Sequence, residues 1–160
     1  MDYFEIKGSK KLYGSVKVSG AKNAVLPLMA ASILNKKKIK ILNVPTLSDS
    51  ITMSKLIEEM GGDVQFDSDK SIIVDSSKLN NPYAPYDLVK TMRASFYVLG
   101  PLLARFKKAK VSLPGGCAWG PRPVDFHLEG LESLGVKISI ENGYVVANAR
   151  QLVGNKIHFP

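Results

Sequence analysis

The chain has 160 residues, enough to bury a core, and its 45% hydrophobic and 22% charged content are those of an ordinary folded domain. A single cysteine excludes a disulfide framework, and two distant histidines make a poor metal site. With no secretory signature and no apolar run long enough to span a bilayer, a cytoplasmic protein without a membrane partner is expected. The net charge of +8 asks for an anionic partner. Its basic residues are scattered, with one dense run at Lys36-Lys37-Lys38, and no zinc ligands or aromatic-and-basic strip accompany them. A small polyanion is therefore expected in preference to nucleic acid.

Residues 1–20 read as N-terminal strands ahead of the first periodic segment. Ala21 to Leu34 reads as an apolar helix, followed by the lysine turn, a strand over Ile39–Leu42 and the Val44-Pro45 loop. An amphipathic helix is expected from Ser48 to Met60, with Ser48 or Asp49 as N-cap and Gly61-Gly62 as its stop. Two strands follow, Val64–Phe66 and Ile72–Val74, joined through Asp67-Ser68-Asp69.

The same order then recurs. Met92 to Phe106 reads as a second apolar helix, Lys110–Leu113 as a strand, and Leu113-Pro114 opens a second proline loop. Val124 to Leu134 reads as an amphipathic helix stopped at Gly135, ahead of strands Lys137–Ile140 and Tyr144–Val146 around Glu141-Asn142-Gly143. Equivalent positions lie roughly seventy residues apart, the spacing of a structural repeat whose units cover one another's apolar faces. The expected division is 21–84 for the first unit, 85–150 for the second, and 151–160 for the start of a third. Leu152-Val153-Gly154-Asn155 there echoes Leu12-Tyr13-Gly14-Ser15. The chain reads as the N-terminal portion of a longer protein, against the alternative of a complete two-unit domain.

Within this frame two cations occupy equivalent helix starts, Lys22 in Ser19-Gly20-Ala21-Lys22-Asn23-Ala24 and Arg93 in Thr91-Met92-Arg93-Ala94-Ser95. Helix N-termini favour negative charge, so a fixed anion would relieve both cations and gain from the helix ends as well. Arg122 adds a third cation. It stands beside Cys117 in Leu113-Pro114-Gly115-Gly116-Cys117-Ala118-Trp119-Gly120-Pro121-Arg122-Pro123. A thiol in a glycine-proline loop near an arginine is placed for chemistry, although a small core hydrophobe is the usual role of a lone cysteine. Asn23 offers a neutral hydrogen bond, and His127 is close enough to the loop to bond a ligand or to serve only structure.

Taken together, the Ser19–Ala24 segment, the Ala84–Ser95 segment and the Leu113–His127 segment resemble the UDP-N-acetylglucosamine 1-carboxyvinyltransferases of the enolpyruvyl transferase family. The resemblance covers nearly the whole chain. It implies an α/β protein, an inverse α/β barrel of α+β repeats, with about two of the three repeats of the first domain present. It also implies transfer of the enolpyruvyl group from phosphoenolpyruvate to the 3-hydroxyl of UDP-N-acetylglucosamine, the first committed step of peptidoglycan synthesis, without a cofactor or metal. By the same resemblance, Cys117 is the proton donor, open to a covalent adduct and to alkylation by fosfomycin. Lys22, Asn23, Arg93, Arg122, Pro123, Val124, Asp125, Phe126 and His127 are substrate-binding. Residues 1–20 would pack with a C-terminal domain that lies beyond Pro160 and supplies the general base, so this portion alone is expected to be inactive. Trp119 departs from the family pattern, which has a smaller aliphatic there. An inactive anion-binding fragment and a shikimate-3-phosphate enolpyruvyl transferase remain as alternatives.

Overall fold

The computed structural model of the chain describes residues 3–8, 11, 13–114 and 124–159. Helix α1 (Lys22–Ala31) runs into a 3-10 turn at Ser32–Leu34, followed by β1 (Ile39–Ile41), α2 (Ser48–Glu59), β2 (Asp63–Phe66) and β3 (Ile72–Asp75). Next come β4 (Tyr83–Ala84), the one-turn α3 (Tyr86–Val89) and a 3-10 segment at Arg93–Val98. The chain then forms α4 (Leu99–Phe106), β5 (Lys108–Ser112), α5 (Asp125–Ser133), β6 (Lys137–Glu141) and β7 (Tyr144–Asn148).

The two sheets share a strand arrangement. The first has order β1-β3-β2 and the second β4-β5-β7-β6, so in each the last strand of a hairpin lies between its partner and the strand before the helix. All these pairings are antiparallel, with Lys40 opposite Ile73 and Lys110 opposite Val146. The second sheet adds β4, parallel to β5. Sequence reading did not foresee β4, because two residues are too few to show an alternation.

Helices α2 and α5 also stop in the same way. Gly61 (φ +93°) and Gly135 (φ +92°) adopt the left-handed conformation that glycine tolerates at no steric cost. The Gly61 N–H donates to Glu58 O at 2.8 Å and the Gly62 N–H to Ile57 O at 2.9 Å. In the second unit Gly135 donates to Glu132 O at 2.9 Å and Val136 to Leu131 O at 3.1 Å. Both are Schellman closures, which satisfy carbonyls that a helix end would otherwise leave unpaired.

Two local expectations are corrected. The second apolar helix is not continuous from Met92 to Phe106: residues 93–98 form a 3-10 segment, and the α-helix begins at Leu99. Pro101 has no N–H with which to bond back to Tyr97, so an α-helical ladder cannot run unbroken through this stretch. At α2 the N-cap is Leu47, with no side-chain cap. Ser48 and Asp49 lie inside the first turn, and Ser50 Oγ donates to Pro45 O at 3.3 Å.

One core serves both units. Met29 and Ile33, Met53, Leu56 and Ile57, Ile72 and Val74, Leu102 and Leu103, and Val111 and Val145 are all fully buried within it. Helix α1 packs on α2 and on the 3-10 segment at 93–98, while α4 packs on the 3-10 turn at 32–34 and on β5. Arg105 fastens the junction: its Nη1 donates to Ile33 O at 2.9 Å and Asn35 O at 3.5 Å, and its Nη2 to Leu79 O at 3.3 Å and Ser77 O at 3.5 Å. One guanidinium of the second unit thus closes two carbonyl groups of the first unit's helix end and two of the segment after its hairpin.

By contrast, the described residues before Gly20 form no strand, contrary to the expectation, because no neighbouring strand pairs with them, and their apolar side chains lie open. Phe4 and Val16 are exposed by 96% and 90%, and Tyr3, Ile6, Tyr13 and Val18 nearly as much. Among the described residues, no helix is long and apolar enough to cross a membrane.

Candidate functional site

Lys22 is placed by a close backbone contact. A Cβ on Gly20 would lie 1.8 Å from the carbonyl oxygen of Asn43 and 3.3 Å from Cδ of Pro45, so only glycine lets the chain pass there. The contact seats the start of α1 against the loop that leads into α2. Asn43 itself has φ +55°, a conformation asparagine tolerates better than most residues. Helix α1 then opens without an acidic residue in its first turn and without a side-chain cap. Lys22 and Asn23 stand exposed in that turn.

The conflict between a cation and a helix N-terminus is partly resolved within the chain. Lys22 Nζ lies 3.0 Å from Asp49 Oδ2, in the first turn of α2. Sequence reading had treated Asp49 only as a cap. The signal it missed was an acidic residue at the start of the helix that packs against α1.

Arg93 is exposed and opens the 3-10 segment, while Met92 and Phe96 on either side of it are buried. Ser95 is also fully buried, and its hydroxyl has no hydrogen-bond partner among the described residues. This segment meets the start of α5 through aromatic contacts. The His127 ring stacks on Tyr97 (centroids 6.4 Å apart, interplanar angle 27°) and meets Phe96 edge-on (6.0 Å, 87°). His127 is therefore a link between the second and third motifs, and the neighbour that defines it, Tyr97, carried no signal in the sequence.

The described residues on either side of the cysteine segment are held by the fold. On one side β5 delivers Leu113, whose N–H donates to Gly143 O at 2.9 Å. On the other, Val124 is buried and precedes α5, with Asp125 in the first turn where a carboxylate suits the helix end. Phe126 packs against Phe159 with centroids 5.5 Å apart. Gly115 through Pro123, and with them Cys117, Trp119, Arg122 and Pro123, lie outside the described residues.

Next to Leu113 and Pro114 a cavity of about 530 Å³ is lined also by Tyr86, Ser112 and Tyr144. The Tyr144 hydroxyl lies 3.0 Å from that of Tyr83 and accepts from the Tyr86 N–H at 3.2 Å. The hydrogen bond from Tyr83 holds the Tyr144 phenol below its usual range, aided by the Tyr86 N–H and by the nearby Lys110 ammonium. The same bond, together with burial, pushes Tyr83 upward. Among the described residues, no group of three histidine, cysteine or acidic side chains is arranged to hold a metal ion.

Residues 6–160 match the family model of EPSP synthase (3-phosphoshikimate 1-carboxyvinyltransferase). The chain belongs to this family of carboxyvinyltransferases. The carboxyvinyltransferase fold is also that of the enolpyruvyl transferase NikO from Streptomyces tendae, which matches 91% of the chain with a TM-score of 0.75 at 25% identity and is itself covered over 32% of its length. Two proteins named UDP-N-acetylglucosamine 1-carboxyvinyltransferase are much nearer in sequence. The one from Vesicomyosocius okutanii is 53% identical over 96% of the chain, and the one from Psychrobacter arcticus 54% identical over 99%. The chain spans 37% and 38% of the length of these two relatives.

Proposed function

We propose that this carboxyvinyltransferase chain is the N-terminal portion of an enzyme that moves the enolpyruvyl group of phosphoenolpyruvate to the 3-hydroxyl of UDP-N-acetylglucosamine and releases phosphate. The observation that carries this reading is identity of 50% or more, over nearly all of the chain, to relatives named for that reaction. Its place is the cytoplasm, at the start of peptidoglycan synthesis. The exposed apolar residues before Gly20 are the surface on which a second domain would close.

The roles rest on the family resemblance and on the charge of each residue. Phosphoenolpyruvate brings a phosphate and a carboxylate, and Lys22, Arg93 and Arg122 meet them, arginine by bidentate contacts and lysine as a point charge. Asn23 and the run Arg122-Pro123-Val124-Asp125-Phe126-His127 take the sugar nucleotide. The Cys117 thiol gives its proton to the methylene carbon, leaving an oxocarbenium-like centre that the sugar hydroxyl attacks. A carboxylate of the second domain accepts the hydroxyl proton, and loss of phosphate together with a proton of the new methyl group, returned to the Cys117 thiolate, restores the double bond. Cations beside a thiol favour thiolate, the wrong form for an acid, and the incoming dianion counters this by raising the thiol's pKa.

A second reading, with shikimate 3-phosphate as acceptor, is favoured by the description of the family model. Phosphate release by the full-length protein, with phosphoenolpyruvate and each acceptor in turn, separates the two. Release with UDP-N-acetylglucosamine alone is expected, and release only with shikimate 3-phosphate would overturn the proposal.

A further inference from the structure

We infer that Asp49 is a positioning residue for the reaction, holding the Lys22 ammonium in the orientation that meets the anionic substrate. The inference rests on the function proposed above and adds a residue that none of its motifs contains.

Three features carry it. The first is the pair itself, with Lys22 Nζ 3.0 Å from Asp49 Oδ2. The lysine side chain keeps 51% of its surface exposed and the aspartate 28%, so the ammonium is tethered on one side and open on the other. An ammonium has three donors, and one carboxylate leaves others for a ligand.

Secondly, Asp49 is a fixed tether. It stands in the first turn of α2, where the helix end favours a carboxylate. That turn is fastened to the same loop that seats α1: Ser50 Oγ donates to Pro45 O at 3.3 Å, and Gly20 packs against Asn43 and Pro45. The two partners therefore start from backbone positions held by the same loop.

Thirdly, stability explains little of the pair. Exposed ion pairs contribute little to folding, because water screens them and two flexible side chains must be ordered. A free lysine head samples many rotamers, whereas a tethered one is already placed when substrate arrives, and such placement acts on rate. An electrostatic role alone would act in the opposite direction, since a carboxylate near an anion site weakens anion binding.

The test uses the full-length protein and phosphate release with phosphoenolpyruvate and UDP-N-acetylglucosamine. Asp49→Ala is expected to lower kcat/KM about tenfold, chiefly through kcat, with Tm unchanged to within about 2 °C. Asp49→Asn, which keeps an oxygen within reach of the ammonium, is expected to recover to within about threefold of the parent. Lys22→Ala is expected to lose at least about a hundredfold. Wild-type kinetics in Asp49→Ala beside an inactive Lys22→Ala would overturn the positioning role alone, as would tighter anion binding in both Asp49 variants or a loss that tracks a fall in Tm. Wild-type rates in Lys22→Ala would remove the functional reading, and the positioning role with it.

Discussion

Gly20→Ala is expected to destabilise the full-length protein by about 3 kcal/mol and to lower its turnover beyond what the loss of folded protein explains. The added methyl would meet Asn43 O at 1.8 Å and Asn43 C at 3.0 Å, and both are backbone atoms that cannot rotate away. Either the start of α1 lifts from the loop or the left-handed turn at Asn43 is rebuilt. In both cases Lys22 leaves the ammonium position that Asp49 fixes at 3.0 Å. Urea denaturation reads the first effect, and phosphate release per folded molecule reads the second. A Gly20→Ala protein with an unchanged midpoint and unchanged turnover would show that the contact is not rigid.

Arg105→Ala is expected to cost a similar amount, about 3 kcal/mol, with no selective effect on turnover. Two of its four contacts are short, to Ile33 O at 2.9 Å and Leu79 O at 3.3 Å, and the guanidinium is half-buried. Removing it strips a charged donor from carbonyls at a helix end and in the segment after the hairpin, and these then depend on water. Arg105→Lys is expected to recover only part of the loss, because a compact ammonium cannot span carbonyls that a planar fork reaches on two sides. The denaturation midpoint measures both. A change below about 0.5 kcal/mol in Arg105→Ala would assign the junction to apolar packing alone.

The order of elements was legible in the sequence because its markers are local. Helix stops at Gly61 and Gly135 depend on glycine at one position, and the hairpin strands alternate within a few residues. The α/β class and the first unit's helix–strand–helix–hairpin order followed from these markers. Features set by contact with a distant segment were not legible. The change from 3-10 to α-helix at Leu99 falls inside a stretch whose apolar content reads as one helix. The two-residue β4 exists because β5 offers it an edge. Lys22 opens α1 and Arg93 opens the 3-10 segment, and both placements at the start of a helical segment could be read from the sequence. The partner of Lys22 could not, since Asp49 meets it only after α1 and α2 have packed. The stacking of His127 on Tyr97 is of the same kind, a contact between segments thirty residues apart in sequence.

The role proposed for this segment is to supply the proton-donating, anion-holding half of a carboxyvinyltransferase site, with Cys117 as the acid. Turnover and fosfomycin inactivation of the full-length protein test it most directly, in the parent and in Cys117→Asp and Cys117→Ala. A carboxyl group can replace the thiol as proton donor but does not form the same adduct. Cys117→Asp is therefore predicted to turn over and to resist fosfomycin, and Cys117→Ala to lose about a hundredfold or more in rate. Fosfomycin sensitivity retained in Cys117→Asp, or a parental rate in Cys117→Ala, would contradict the claim.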